Sequence, residues 1–501
     1  MISKTHKNLP FPYVSYGLLA IIIIYAAFFI AYSLQKHAAF QTAGFDLGNW
    51  DQMIWGTIHV RPFWITQYAN TTTNSLGGHV EFILLLLFPL YGIHAGPETL
   101  LIFQPMFVSL GALPVYWLAQ ERLGSKIAGL IFVAVYLLYP ALESAISFDF
   151  HSLTLAVPFL TYALWAMYTR RYRLFGVMAI LAMSCKEDIP LLVLMLGLYI
   201  LIVHRNPRVG LITLGGSALW FALANYVIVP AFSLSGDSIH IHRYSEMGGS
   251  MSQVIFTIVT NPWQAIQIAT AGNKLFYWIR FTMPVAFTAL LDPFTLVLVA
   301  PTLFINTLGH YPPAYQLDLY HSSTPLAVYV TFASINGLAR LIKFAEPKFK
   351  HVRAGFLRNA LLAMVLLVTL AYQMQFGHTP IGRYFGWPTV TEHHHKAEAM
   401  LAQIPPQAAV AAQNNLVPRL SQRQWIFILP KLSHRDKQAD YIALDMRGSL
   451  NPYHFVEDYC AQISEFLASP DYGLIFADDG LLLFKRDVPD SATFEPMSPC
   501  Q

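Results

Sequence analysis

Charge is what this chain has least of. Only 12% of its 501 residues are Asp, Glu, Lys or Arg, against 55% hydrophobic residues, whereas an ordinary soluble chain carries roughly 25% charged residues. That balance, with a mean hydropathy of +0.46, excludes an ordinary soluble protein. Cysteine is also scarce. The three present, Cys185, Cys460 and Cys500, form no C-x-x-C or zinc-type spacing, and only Cys460 and Cys500 share a region in which an oxidising compartment could pair them. The net charge of +3 is small and spread over many loops. No basic stripe interleaved with aromatics appears, so nucleic acid is not an expected partner. Internal repeats are missing too, and with them the paired repeats of ion-coupled carriers.

What the chain has in abundance is long apolar runs. Tyr16 to Tyr32, Leu100 to Leu118, Pro190 to Val203, Leu211 to Val229, Pro325 to Leu341 and Ala360 to Tyr372 have the character of spanning helices, which need about 20 residues to cross about 30 Å. With the remaining runs they make about eleven crossings of a polytopic membrane protein. Cytoplasmic loops carry the excess of Lys and Arg. Lys4 and Lys7 therefore put the N-terminus inside, and the basic groups at Arg170, Arg171 and Arg173, at His204, Arg205 and Arg208, and at Lys343, Lys348, Lys350, Arg353 and Arg358 face the same side. The first run lacks a clear cleavage site before Gln35 and reads as a retained helix. Parity then requires one segment not to cross. The stretch after His79, short and holding Pro89 and Gly92, is the expected re-entrant segment.

Beyond Met374 the composition becomes more polar. AAVAA at 408 to 412, WIFIL at 425 to 429, YIALD at 441 to 445, GLIFAD at 473 to 478 and LLLFKR at 481 to 486 read as strands, with DDG at 478 to 480 a hairpin turn. Helical patterns fit His394 to Gln403 and Phe455 to Ala468. The expected fold is thus a mainly α transmembrane bundle, residues 1–374, with a small extracytoplasmic α/β domain, residues 375–501. The HHH run at 393 to 395 reads as a solvated surface.

Three motifs sit at the edges of apolar runs: FDLGNWDQ at 45 to 52, SFDFH at 147 to 151 and CKED at 185 to 188. Ionisable groups are expensive near a bilayer, so they mark a site by default. Asp46 and Asp51 are five residues apart, about 140° of rotation on a helix, so one of them points into a given cavity. Asp46, between Phe45 and a glycine-containing turn, is the expected one, against the bland reading of a helix N-cap. Asp149 and His151 stand where helices enter and leave the lipid, and Asp is too short to snorkel well. Two outward carboxylates in different loops suit a glycosyl or phosphoryl site, and Asp46, Asp149, His79, Glu81 and His151 are residue types that could hold a divalent cation. Lys186, Glu187 and Asp188 are too closely flanked by apolar sequence for a long solvated loop. Arg280 and His321 read either as snorkelling groups or as ligands of a lipid phosphate.

In this order (FDLGNWDQ, HVEF, DFH, KED, then NNLVPRLSQR and ADYIALD) the motifs resemble an uncharacterised prokaryotic family of predicted polytopic membrane proteins within the GT-C superfamily of integral-membrane glycosyltransferases. The resemblance covers nearly the whole chain. It departs at HSSTP, where no second aromatic follows His321. It implies transfer of a hexose or pentose from a polyprenyl-phosphate-linked donor to an unassigned acceptor, at the outer face of the cytoplasmic (inner) membrane. Asp46 and Asp149 then match the catalytic carboxylates. Asp51, Gln52, His79, Glu81, His151, Lys186, Glu187, Asp188, Arg280 and His321 are the expected substrate-binding residues, and Trp50, Trp55 and Trp64 are candidates to stack on a sugar. The competing class is a transporter or lipid-binding scaffold without covalent chemistry.

Overall fold

Proline decides where one of the long apolar stretches bends. The structure, a computed structural model, describes residues 15–67, 74–345, 355–434, 436–495 and 498–500. Lys4, Lys7, Lys348, Lys350 and Arg353 of the orientation argument lie outside them. Among the described residues five helices are long and apolar enough to cross a membrane: Tyr16–Ala38, Pro97–Leu123, Pro207–Phe232, His321–Ala345 and Phe356–Phe376. Lys126–Leu137 and Pro140–Phe148, bent by 48°, make a sixth if taken as one span. The bend follows from Pro140, which disfavours a helical backbone at the residue before it; Tyr139 is extended, at φ −68° and ψ 124°.

Shorter apolar helices complete this multi-pass bundle: Phe82–Tyr91, Ser152–Tyr168, Tyr172–Met183, Ile189–Ile202 and Pro293–Leu308. The first of these is a tight 3-10 turn over Phe82–Leu87 followed by one α turn, Phe88–Tyr91. At the usual rise per residue it extends about 18 Å, too short for a hydrocarbon core of about 30 Å. His321–Ala345 runs through the centre. Leu326, Val328, Val330, Phe332, Ile335 and Leu338 along it are fully buried. A Cβ at Gly337 would lie 2.4 Å from the Thr288 carbonyl oxygen, so glycine lets the two backbones touch. Pro207–Phe232 and Phe356–Phe376 are peripheral and present most of their apolar surface outward.

The sheet begins at Val410, after a helix Glu392–Leu401. Strands β1 (Val410–Ala412), β2 (Ile426–Ile428), β5 (Tyr441–Asp445), β6 (Tyr472–Asp478) and β7 (Leu481–Arg486) form one sheet in the order β2-β1-β5-β7-β6. The small ribbon β3 (Ser433–His434) and β4 (Lys437–Gln438), too short to read from sequence, stands apart. β2, β1 and β5 are parallel, with Ala411 opposite Phe427 and Ile442. β5, β7 and β6 are antiparallel. Asp479 and Gly480 both take positive φ, 52° and 82°, the turn geometry that matches the twist of a two-residue hairpin.

Successive strand residues point to opposite faces, and here both faces are apolar. Ala411, Phe427, Ile442 and Phe484 pack with Tyr459, Ile463 and Phe466 of the helix Val456–Ala468. Val410, Ile428, Ala443 and Leu483 pack with Ala397, Met400 and Leu401 of Glu392–Leu401 and with Phe40 of the bundle. A Cys460–Cys500 disulfide ties the outer helix to the chain end.

The HHH run is solvated only in part: His395 is exposed and His394 half-buried, but His393 is not at the surface. His393 is buried, with Nε2 at 2.9 Å from Asp445 Oδ1 and Nδ1 at 3.0 Å from Asp479 Oδ2. His394 accepts a hydrogen bond from the Thr391 backbone N–H. Helical periodicity turns His393 inward, where two carboxylates need a partner. Hydrogen bonding to Asp445, opposed by burial, raises the His393 pKa from 6.5. A raised folded-state pKa stabilises most below the unfolded value and loses that contribution as pH rises through the folded one. Amide exchange across Tyr441–Asp445 should therefore accelerate as pH rises above 6.5 beyond the intrinsic base-catalysed trend. In His393→Gln the excess should vanish; an unchanged excess would refute the assignment.

Candidate active site

The first loop leaves the helix Tyr16–Ala38 and re-enters helical structure as a π turn, Gly44–Gly48, which runs directly into Asn49–Ile58. Asp46 lies within the π turn rather than at an N-cap. Glycine is needed at its start: a Cβ on Gly44 would sit 2.7 Å from Val417 of the α/β domain. That domain grips the turn directly. Asn414 Oδ1 accepts from the Gly44 N–H at 2.8 Å and the Phe45 N–H at 3.2 Å.

The second motif is shaped by Gln104, on the helix Pro97–Ser109. Its Nε2 donates to the Asp149 carbonyl at 3.0 Å, and its Oε1 accepts from the His151 N–H at 2.8 Å and from Thr154 Oγ1 at 2.7 Å. Phe150, fully buried, anchors the turn from beneath. The two side chains flanking it then meet the first loop. His151 Nε2 lies 3.0 Å from Asp46 Oδ1. Asp149 Oδ2 accepts from the Ala43 N–H at 2.8 Å, and its Oδ1 is 3.5 Å from Lys36 Nζ. Lys36 also donates to the Ser147 and Phe148 carbonyls, which end the helix Pro140–Phe148. Burial pushes the Asp149 carboxyl up to about 6, with Lys36 pulling the other way.

These groups open onto a cavity of about 560 Å³ between the bundle and the α/β domain. Asp46, Asp149, His151, His79, Glu81, Lys186, Asp188 and His321 all line it. His321 stacks on His151 with ring centroids 3.6 Å apart, which fixes the imidazole that meets Asp46. Lys186 pairs with Asp188 at 3.3 Å. Glu81 takes a hydrogen bond from Ser152 Oγ. The five residue types considered for a cation do not converge: among the described residues no three His, Cys, Asp or Glu side chains are placed to hold one metal ion.

Four residues expected at the substrate are committed elsewhere. Asp51 is buried under Tyr91, Ser421 and Gln422, whose polar groups reach it at 2.8, 2.7 and 3.2 Å, and burial pushes its carboxyl up to about 6. Gln52 bonds Thr66 and the Arg423 carbonyl. Both serve to dock the first loop on the α/β domain, because the turn from Asp46 to Asp51 sends the helix's other face toward that domain. Glu187 turns back to His79 Nδ1 at 2.8 Å and the Val80 N–H at 3.0 Å, pinning the HVEF turn. Arg280 pairs with Asp318 at 2.8 Å and with the Tyr372 hydroxyl at 2.7 Å, away from the cavity. Of the tryptophans, Trp50 lines the cavity. Trp55 stacks on His59, and Trp64 packs on Trp425.

The sequence reading missed Lys36 and Arg243, whose guanidinium lies 4.0 Å from the Tyr311 ring at the cavity wall. It also missed Asn414, Asn415, Ser449 and Asn451, which the α/β domain contributes. A signal existed: these follow β1 and β5, and open α/β sheets bind ligands beyond the carboxyl ends of parallel strands.

Comparison with known proteins adds to this geometry. Residues 36–483 match a family model described as "Predicted membrane protein (DUF2079)". No curated protein matches the chain in sequence. Among solved structures, ArnT from Cupriavidus metallidurans bound to undecaprenyl phosphate aligns over 94% of this chain and 98% of its own, with TM-score 0.51 and 12% identity. The apo state of the same protein aligns over 93% and 97%, with TM-score 0.47 and 11% identity. The fold is thus similar to that of ArnT over nearly the whole length of both chains.

Asn414→Leu would remove the side-chain oxygen that the Gly44 and Phe45 N–H groups both reach, and would leave the Asn414 backbone carbonyl to Gly44. An unsatisfied buried donor costs about 1–3 kcal/mol. Amide exchange at Phe45 should accelerate about tenfold to a hundredfold while the bundle keeps its protection. Unaltered exchange there would show that the domain does not hold the loop.

Proposed function

Because this chain belongs to the DUF2079 family of predicted membrane proteins and has a GT-C-like fold, we propose that it is an integral-membrane glycosyltransferase. In this reading it takes a sugar from a polyprenyl-phosphate-linked donor at the outer face of the cytoplasmic membrane and passes it to an acceptor hydroxyl. The observation that carries the reading is the Asp46–His151 pair at 3.0 Å, in a cavity that also holds Lys36, Lys186 and Arg243. A carboxylate backed by an imidazole suits removal of a hydroxyl proton; nearby cations suit a departing phosphate. ArnT, bound to undecaprenyl phosphate in its crystal structure, supports a lipid-linked partner. The Cys460–Cys500 disulfide supports an extracytoplasmic α/β domain, since such bonds persist in oxidising compartments.

The chemistry is a displacement at the anomeric carbon. The acceptor oxygen forms the new C–O bond, the bond from carbon to the phosphate oxygen breaks, and the lipid phosphate leaves with the electron pair. Asp46 takes the acceptor proton, and His151 shares it across their hydrogen bond. The phosphate is already a good leaving group, so the enzyme's work lies in positioning, proton removal and charge neutralisation. Lys186 and Arg243 face the charge that develops on the phosphate. Asp149 holds Lys36 and the Ala43 N–H, and so sets where Asp46 stands.

Two outcomes test this. Protein reconstituted in lipid with a panel of polyprenyl-phosphate sugars should turn one of them over, with and without chelator compared, and Asp46→Asn should lower turnover by about 10²–10⁴-fold, the range for a lost general base. Turnover of no donor would return the protein to the carrier or scaffold class. The pH dependence follows from Asp149. Activity needs its carboxylate and should fall as pH drops through about 6. Stability should move the opposite way: the folded pKa is raised above 3.8, so the contribution to stability is largest below that value and is lost as pH rises through about 6. Asp149→Asn should abolish that stability trend.

A further inference from the structure

The cavity is divided by chemistry. Its bundle side carries the charged groups, among them Lys36, Lys186 and Arg243. Its α/β side carries Asn414, Asn415, Ser449 and Asn451 and, among the described residues, no charged side chain. These neutral groups follow the carboxyl ends of the adjacent parallel strands β1 and β5, the edge where open α/β sheets place their ligands.

Two amides that line the cavity have their orientation set by the protein. Asn415 is buried, and its Nδ2 donates to Asp445 Oδ2 at 2.9 Å. Flipping the amide would set its carbonyl against a carboxylate, so Asp445 decides which end is spare. Asp445 is itself held by His393 Nε2 and by the Arg447 N–H at 3.0 Å. Asn49, also buried, directs its Nδ2 to the Phe45 carbonyl at 3.4 Å. In both cases the remaining atom is Oδ1, which has no hydrogen-bond partner among the described residues. A buried carbonyl left unpaired costs free energy until a donor reaches it. The amides meet on one cavity, one from the first loop and one from the α/β domain.

We infer that Asn49 and Asn415 form a subsite that reads hydroxyl donors of a neutral sugar or other polyol, and that this is the acceptor end of the cavity. Two fixed acceptors welcome O–H groups and repel phosphate or carboxylate oxygens, which can only accept. The charged lipid phosphate belongs with the bundle wall, which holds all three of the cavity's Lys and Arg side chains, Lys36, Lys186 and Arg243, among its carboxylates. Naming this the acceptor end rests on the transferase reading; the subsite itself does not.

The test is saturation-transfer NMR and titration on the full-length protein in nanodiscs. The probes are the methyl glycosides of glucose, galactose and mannose, their 6-phosphates, and a triglycine amide. At least one neutral glycoside should bind, with its 6-phosphate at least tenfold weaker and the peptide amide weaker still. Asn415→Leu and Asn49→Leu should each weaken that glycoside fivefold or more. Undecaprenyl phosphate affinity should stay within twofold, which also certifies the fold. His393→Gln, which reaches the subsite through Asp445 and does not touch the cavity itself, supplies a milder variant should Asn415→Leu fail to fold, and should weaken the glycoside by about twofold to fivefold. Equal binding of the 6-phosphates, preference for the peptide amide, no glycoside binding, or indifference to all three substitutions would each overturn the inference. Glycoside binding without turnover of any lipid-linked donor would remove the transferase reading and leave the subsite standing.

Discussion

The ion pair between Lys36 and Asp149 joins parts of the chain that are more than a hundred residues apart. A carboxylate this deeply buried is tolerable only when paired and hydrogen-bonded. Lys36 supplies the charge from the last turn of the first helix, and Ala43 supplies an N–H from the loop that follows. Lys36 also satisfies two carbonyls at the end of Pro140–Phe148, which a helix terminus otherwise leaves unmade. Gln104 closes the arrangement from the opposite side. The Asp46–His151 contact exists because both of its residues are attached, within three positions, to this unit.

A second constraint comes from outside the bundle. The first loop is sandwiched between the bundle and the α/β domain, whose Asn414, Ser421 and Gln422 bond Gly44, Phe45 and Asp51. The site is therefore shared between two parts of the chain that are packed differently. One part packs apolar helices, and its cost of burying charge is met by specific pairs. The other packs a sheet between two helices and offers neutral amides at its strand ends. In the proposed reading, such a division lets one cavity meet a phosphate on one wall and hydroxyls on the other.

Much of the fold was legible because burial leaves period and composition in the sequence. The strands at 410 to 412, 426 to 428, 441 to 445, 472 to 478 and 481 to 486 fall within a residue or two of the expected runs, since a two-sided sheet reads as short continuous apolar stretches. The hairpin at Asp479–Gly480 was readable from turn chemistry. The site was legible only in part. An ionisable residue at a membrane edge is costly whether it binds substrate or a neighbour. Composition therefore marked Asp46, His151 and Lys186 in the same way as Arg280, which serves Asp318, and Glu187, which serves His79. Which partner satisfies a charge is a matter of distance across the fold, and sequence proximity carries no record of it. His393 failed for the same reason: a run of histidines looks hydrophilic, but Asp445 and Asp479 are 52 and 86 positions away.

By itself the sequence determined the solvent of the apolar part: a chain with 12% charge and long apolar runs must bury its backbone polarity in helices within lipid, while the short apolar runs and turn residues of the tail marked strands with a core of their own. It also determined which positions carry a cost that needs an explanation. Only the tertiary structure decided which of those costs are met inside the protein and which remain turned toward a cavity. Hydrophobic periodicity is a local property, fixed by 1.5 or 3.3 Å of rise per residue in a helix or strand, roughly, whereas the pairing of Lys36 with Asp149, of Asp46 with His151 and of Asn415 with Asp445 depends on how whole elements pack.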